Sequence, residues 1–238
     1  MKETSLHYVY DPLCGWCYGA APLLQAAAGI AGLRIELHAG GLWLGERRQP
    51  MGLALRDYVR PHDERIQALT GQPFGERYFN DLLLSDGLLL DSEQPIRAIL
   101  AITALGGNGL ALLHRIQQSH YRDGIWVGSL AHLSSLAAEQ GIDSAAFADA
   151  YQNVDLTTHL VDSQSWMRRL GGQGYPTLGL VLGLSACGSL RDAGAGISTL
   201  GGLIKPYKID VVQGNVITKE QVSALKTGMT RVETRDVL

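Results

Sequence analysis

Leu6-His7-Tyr8-Val9-Tyr10-Asp11-Pro12-Leu13-Cys14-Gly15-Trp16-Cys17-Tyr18 is the stretch that decides the fold. Leu6–Tyr10 is apolar and aromatic and reads as a strand. Asp11-Pro12-Leu13 breaks it. From Cys14 the chain is rich in Ala, Leu and Gln as far as Ala28, which reads as one helix. Gly29 and Gly32 stop that helix, and Leu33–Leu37 reads as a second strand. The order strand, CxxC, helix, strand is a βαβ opening of an α/β protein, with the dithiol at the start of a helix.

That position suits redox chemistry. A thiolate attacks a disulfide, and a helix start offers unpaired N–H groups and a positive dipole end that favour it. Cys14 is therefore the expected nucleophile, facing solvent. Cys17, one turn on, is the expected resolving thiol. The competing reading is half of a zinc site, which needs about four Cys or His ligands. Only Cys187 and seven scattered histidines could supply the rest. No metal is expected, and a CxxC beside a βαβ unit favours the redox reading.

Further along, Gly40 to Arg48 is a loop, and 50–152 reads as helical throughout with no strand pattern. Ser92 caps a helix reaching Leu105, and Asp143 caps one carrying Phe147, Ala150 and Tyr151. Another helix spans 157–170. Gly171 to Gly174 end it, and Tyr175-Pro176-Thr177 leads into the apolar stretch Leu178–Leu184, expected to add a strand beside the first. Pro176, after a glycine-rich turn, is a candidate for a cis peptide bond; a plain turn proline is the alternative. His7, His38, His62, His114, His120 and His132 are weighed as acid–base groups, His120 as the candidate for the cleft, against a surface or core-edge place, which is favoured for each. Asp11 is either a proton acceptor for Cys14 or a turn residue before Pro12. Arg47 and Arg48 are either receivers of an acidic group, such as a glutathione carboxylate, or a solvated loop.

The run Tyr10–Tyr18 resembles the start of DsbA-family proteins of the predicted protein-disulfide isomerase group, close to FrnE. Arg56–Val59, Leu69–Gly75, Asp91–Glu93 and Gly174–Thr177 resemble the same group. The resemblance covers about residues 6–178. It implies a thioredoxin-like fold with an all-helical insertion. The thioredoxin-like part would comprise 1–49 and 153–184, the insertion 50–152, and an atypical tail 185–238. It also implies that Pro176 lies against Cys14 and Cys17, and that Trp16, Tyr175 and Thr177 contact substrate. Kappa-class glutathione transferases and 2-hydroxychromene-2-carboxylate isomerases are relatives that usually use a serine instead, so the two cysteines argue against that chemistry.

After Leu178 the resemblance changes. Leu182–Gly188, with Cys187, looks like a lipoprotein box. Tyr207–Asn215 and Gly228–Arg231 resemble the N-terminal part of BamE-type lipoproteins, as in a fused or mis-joined segment. Thr218 with Gln221 and Thr230 with Glu233 read as capping boxes. From Cys187 on, the glycines leave little to bury, and a final hairpin and helix are not expected.

The net charge of -3 gives no basic footprint, which argues against nucleic acid as a partner. No export signal precedes the first strand, so the cytoplasm is expected. A membrane association is expected only if the segment around Cys187 is processed. The leading function is thiol–disulfide exchange with cysteine-containing proteins or small thiols, without a resident cofactor and with glutathione as a possible co-substrate. A glutathione-dependent transferase or isomerase is the alternative. A chaperone-like or tethered protein with a spent dithiol is the third reading.

Overall fold

A computed structural model describes residues 4–182. Strand β1 (Thr4–Tyr10) is the centre of a three-stranded sheet of order β2-β1-β5. β2 (Leu33–Ala39) runs parallel to it with Leu37 beside Tyr8. β5 (Thr177–Leu182) runs antiparallel with Leu178 beside Tyr8. The apolar stretch after Pro176 therefore does pair with the first strand, as its composition suggests. The expectations for Cys187, the lipoprotein-box resemblance, the capping boxes at Thr218 and Thr230 and the tail 185–238 lie outside the described residues.

The single helix expected from Cys14 to Ala28 is two: α1 (Gly15–Gly19) and α2 (Ala21–Ala28). Pro22 is the reason. It has no N–H to donate to the carbonyl of Tyr18 four residues back, so the ladder is interrupted there. The Tyr18 carbonyl keeps a backbone N–H at the end of α1 and also accepts from Gln72 Nε2 at 3.0 Å. That second donor lies 54 residues further on.

Between the two parts of the sheet lie β3 (Gln49–Pro50), α3 (Leu53–Thr70), α4 (Glu76–Asn80), β4 (Leu89–Leu90), α5 (Glu93–Ala104), α6 (Gly109–Gln117), a π-helical turn Gln118–Arg122, α7 (Leu130–Ala138) and α8 (Ser144–Gln152). This segment is helical apart from one addition to the expectation. β3 and β4 pair antiparallel, Gln49 with Leu90 and Pro50 with Leu89. Two-residue strands are too short to show a period-two pattern, and a proline is tolerated on such an edge. Asp143 does cap α8, accepting from the N–H groups of Ala145 and Ala146. Ser92 does not cap α5. Its backbone is already helical, and its hydroxyl is engaged elsewhere, while Asp91 Oδ1 accepts from Glu93 N at 2.9 Å.

One apolar core spans the sheet and the helical segment. Tyr8, Tyr10, Cys17 and Leu24 are buried in the same cluster as Ile96, Ile99, Leu113 and Phe147. Burying a large aliphatic side chain contributes about 1.5–3 kcal/mol. The helical segment therefore stabilises the sheet directly.

Helix α9 (Leu156–Arg169) lies on β1 and β2 and leads into the proline loop. A ring stack holds it. His7 lies parallel to Trp166 with centroids 3.7 Å apart, and His38 shares a hydrogen bond with His7 at 2.9 Å. His159 Nε2 accepts from Ala39 N, at the end of β2. His7 and His38 are thus structural in this fold. Burial pushes His38 down to about 4, helped by the neighbouring His7 and His159. A histidine whose folded value is depressed stabilises the fold above its unfolded value near 6.5, and that contribution is lost as pH falls toward 4. We expect stability in urea to drop between pH 6.5 and 4. His38→Gln should flatten that drop by about 1–2 kcal/mol, after allowance for solvent screening at a half-buried ring. Parallel pH profiles for the two proteins would contradict the assignment.

Candidate active site

The turn that follows β1 is built around Asp11. Its carboxylate is fully buried and accepts from three donors: Leu13 N at 2.8 Å, Leu42 N at 2.5 Å and Ser92 Oγ at 2.9 Å. Burial pushes Asp11 up to about 6, against the pull of those three donors. Trp43 Nε1 donates to Leu13 O on the same turn, and Trp43 N donates to Ser92 Oγ. The turn, the loop after β2 and the start of α5 are thereby fastened at one point. Cys14 N donates to Asp11 O at 3.2 Å, which starts α1.

Cys14 occupies the extended position before α1, and Tyr18 N donates to its carbonyl. Both Cys14 and Cys17 are thiols. Cys17 is completely buried. Burial pushes its thiol up, and its contact with Cys14 pushes it further. Tyr8 Oη donates to the Cys17 carbonyl at 3.4 Å. Cys14 was expected to face solvent and does not: only 1% of its surface is exposed. Its S–H donates to the carbonyl of Tyr175 at 3.6 Å, which explains part of that cover.

The Tyr175–Pro176 bond is cis. The loop is tied back by Thr177 Oγ1, which donates to Gly174 O at 2.7 Å. The Tyr175 ring packs against Gly40, where any Cβ would overlap it. Burial pushes the Tyr175 hydroxyl up to about 12. Beside it, Val9, Gly40, Ser163, Met167, Arg168 and Tyr175 line a cavity of 170 Å³. Trp16 is half-buried and packs against the core. The structure therefore brings Cys14, Cys17 and the Tyr175–Thr177 loop together, through residues 161 apart in the chain.

Other candidates go elsewhere. Arg48 pairs with Asp91 at 2.9 Å and Glu93 at 3.2 Å, and Arg47 donates to Gly41 O. Both arginines brace the loop. His120 does not face a cleft. It is buried in the π-helical turn, against the edges of Tyr78 and Tyr121, and burial pushes it down to about 3. Its apolar, aromatic surroundings account for the difference. His114 bonds Gln118, and His62 meets the exposed Tyr58 ring. Among the described residues, no three His, Cys, Asp or Glu side chains are grouped to hold a metal ion.

Sequence reasoning passed over Asp63. It lies in α3, buried, and its carboxylate rests on the Cα of Gly15, where a Cβ would collide with it. Tyr78 Oη donates to it at 2.9 Å. A signal existed. Leu55, Val59, Asp63 and Ile66 fall on one face of the helix, so the carboxylate interrupts an apolar stripe.

No family model matches the chain. Among solved structures it is similar to the cytosolic disulfide reductase DsbM from Pseudomonas aeruginosa. The two are 45% identical, with a TM-score of 0.68, over 75% of this chain and 88% of that one. A second structure of that protein, with GSH, matches at a TM-score of 0.67. A 2-hydroxychromene-2-carboxylate isomerase shares the fold at 20% identity and a TM-score of 0.51, covering 74% of this chain and 84% of that one. A further match, to the outer membrane protein assembly factor BamE of Nitrosomonas europaea, is 61% identical over 33 residues. It covers 14% of this chain and 20% of that protein, so the chain spans about a fifth of the curated relative it matches.

Asp11→Asn gives a direct check on the turn. The amide keeps one acceptor oxygen and sets an NH₂ against an N–H donor. Losing bonds to a buried charged acceptor costs about 1.5–3 kcal/mol each. We expect a loss of roughly 2–4 kcal/mol in urea unfolding at pH 8. A loss below about 0.5 kcal/mol would show that the three bonds do not hold the site.

Proposed function

Because the chain belongs to the DsbA family of thioredoxin-fold disulfide oxidoreductases, we propose that it reduces disulfides in the cytoplasm, with Cys14 attacking, Cys17 resolving and glutathione as the thiol that resets the pair. The observation that carries this reading is the contact between Cys14 Sγ and the carbonyl of Tyr175, beside the cis Pro176. The relative called a cytosolic reductase, solved also with GSH, supports both the compartment and the co-substrate. No helix among the described residues is long and apolar enough to cross a membrane.

The steps follow from the two thiols. The Cys14 thiolate attacks one sulfur of a substrate disulfide. The S–S bond breaks and one substrate thiolate leaves. While Cys14 is charged, its negative charge and that of Asp11 oppose ionisation of Cys17. In the mixed disulfide the charge at Cys14 is gone, so Cys17 loses its proton more readily. Its thiolate attacks the Cys14 sulfur, the second substrate thiolate departs, and a Cys14–Cys17 disulfide remains. Two equivalents of glutathione then reduce it, forming glutathione disulfide. The protein needs no resident cofactor for these steps.

Trp16, Tyr175 and Thr177 are the residues we assign to substrate. The backbone around Tyr175 offers an extended peptide or glutathione hydrogen-bond partners next to Cys14, and Trp16, between the two cysteines, is partly exposed. Cysteine-containing proteins and small disulfides are thus the proposed partners. A transferase or isomerase shares the fold and has no separate observation in its favour.

Reduction of an insulin-type disulfide by glutathione tests the proposal. Cys14→Ser should bring turnover to the uncatalysed level. Cys17→Ala should accumulate a mixed disulfide at Cys14, visible by mass spectrometry. Full turnover by Cys14→Ser would remove the dithiol from the mechanism. Transfer of glutathione to a small electrophile, without disulfide turnover, would instead restore the transferase reading.

A further inference from the structure

The exchange steps leave the 170 Å³ cavity beside the proline loop unused, yet it shares a residue with them. Tyr175 lines the cavity, and its carbonyl accepts from Cys14 Sγ at 3.6 Å. One residue therefore borders both the cavity and the attacking sulfur. The facing walls come from Val9 on β1, Gly40 after β2, and Ser163, Met167 and Arg168 on α9.

Size limits what the cavity can hold. A cavity of about 150 Å³ takes one benzene ring, and pockets that enclose a whole small ligand run to about 300–1,000 Å³. This one takes a single amino-acid side chain. A free tripeptide would leave most of itself outside.

The lining chemistry narrows the choice. Val9, Met167 and the Tyr175 ring are largely apolar walls. Ser163 is fully buried and forms part of the floor. Ala39 N donates to His159 Nε2 at 3.1 Å, so that nitrogen is an acceptor, and the Ser163 hydroxyl donates to it as well, at 3.3 Å. With its hydrogen spent there, the Ser163 oxygen can only accept, and it keeps a negative charge from settling on the floor. Arg168 is the charged side chain of the lining. It is exposed, which puts it at the rim, and among the described residues no acid pairs with it. Arg169, next in the chain, lies instead over the Trp166 ring at 5.2 Å and does not line the cavity.

We propose that this cavity is a specificity subsite of the exchange reaction, taking an acidic side chain that neighbours the reacting cysteine of a protein substrate. The side chain crosses from the Tyr175 side to α9. Its methylenes lie on Val9, Met167 and the Tyr175 ring, and its carboxylate meets the Arg168 guanidinium at the rim, a pairing that can be bidentate. The reach is short. Each extended residue advances about 3.3–3.6 Å, so a residue one or two positions from the attacked cysteine passes Tyr175 and arrives over the cavity. Arg168 touches no reacting atom. It selects among substrates, and an exposed ion pair is worth at most about a fivefold preference.

This subsite rests on the reading of Cys14 as the attacking thiol. The test is the single-turnover rate constant of the reduced full-length protein with two peptide disulfides of equal length, one with Glu and one with Gln beside the cysteine. Wild-type protein should prefer the Glu peptide roughly threefold to fivefold. In Arg168→Gln the ratio should fall to about one, and in Arg168→Glu it should invert. Arg169→Gln should keep the wild-type ratio. Sodium chloride at about 1 M, where charges are screened within about 3 Å, should shrink it. Met167→Trp fills the cavity and should abolish the preference. A merely structural role for Arg168 would slow both peptides alike. Equal rates for the two peptides in wild type, with the mixed disulfide still trapped at Cys14 in Cys17→Ala, would overturn the subsite and leave the exchange mechanism standing. A Glu preference that survives Arg168→Gln or Met167→Trp would do the same. Reset of the oxidised protein by glutathione, measured against 2-mercaptoethanol, is a second arm: an effect of Arg168→Gln confined to that step would move Arg168 to glutathione and overturn the assignment to a protein substrate. If neither peptide is reduced through Cys14, the subsite and the mechanism both fall.

Discussion

Three donors from three separate stretches meet on the carboxylate of Asp11, and the arrangement of the site depends on that meeting. Leu13 lies in the turn before the dithiol, Leu42 in the loop after β2, and Ser92 at the entry to α5. Each hydrogen bond to a buried charge is stronger than one between neutral groups. The carboxylate itself is costly to bury, so removing any donor exposes that cost. Position and stability are in this way tied to one another. Cys14 cannot shift without disturbing the loop that carries Trp43.

The helical segment is bound to the dithiol from several directions. Ser92 reaches Asp11, Gln72 donates to the Tyr18 carbonyl, and Asp63 sits on Gly15. Apolar burial joins these polar contacts in one core. Such a segment is more than a lid. It supplies atoms that shape α1 and its surroundings, so changes within it reach the sulfur atoms by short physical routes. On the other side, α9 is held to the sheet by the His7, His38 and Trp166 rings, and it carries the chain into the Tyr175–Pro176 loop.

Much of this was legible in the residues. The βαβ opening with its CxxC, the apolar strand after Pro176 and the cap at Asp143 follow from local patterns. What escaped was non-local. The break at Ala20 could be read from Pro22, yet the second donor to the Tyr18 carbonyl, Gln72, lies 54 residues further on. Ser92 looks like a helix cap because its neighbours are helical, and only the fold shows that Asp11 claims its hydroxyl. The exposure of Cys14 could not be judged from its place at a helix start, because the residue covering it comes 161 positions later. Asp63 left a trace, a charge on an apolar stripe, but its meaning depends on which glycine faces it.

The cover over Cys14 has a kinetic meaning. With 1% of its surface exposed and its S–H bonded to the Tyr175 carbonyl, the sulfur meets a bulky reagent only in conformations that uncover it. Observed rates then become the product of an intrinsic rate and the fraction of time spent open. A substrate that binds the loop backbone shifts that fraction itself, whereas a diffusing oxidant that binds nothing does not. Shielding thus becomes a form of selectivity, in which the thiol is available to molecules that first engage its cover and is spared by those that merely collide with it.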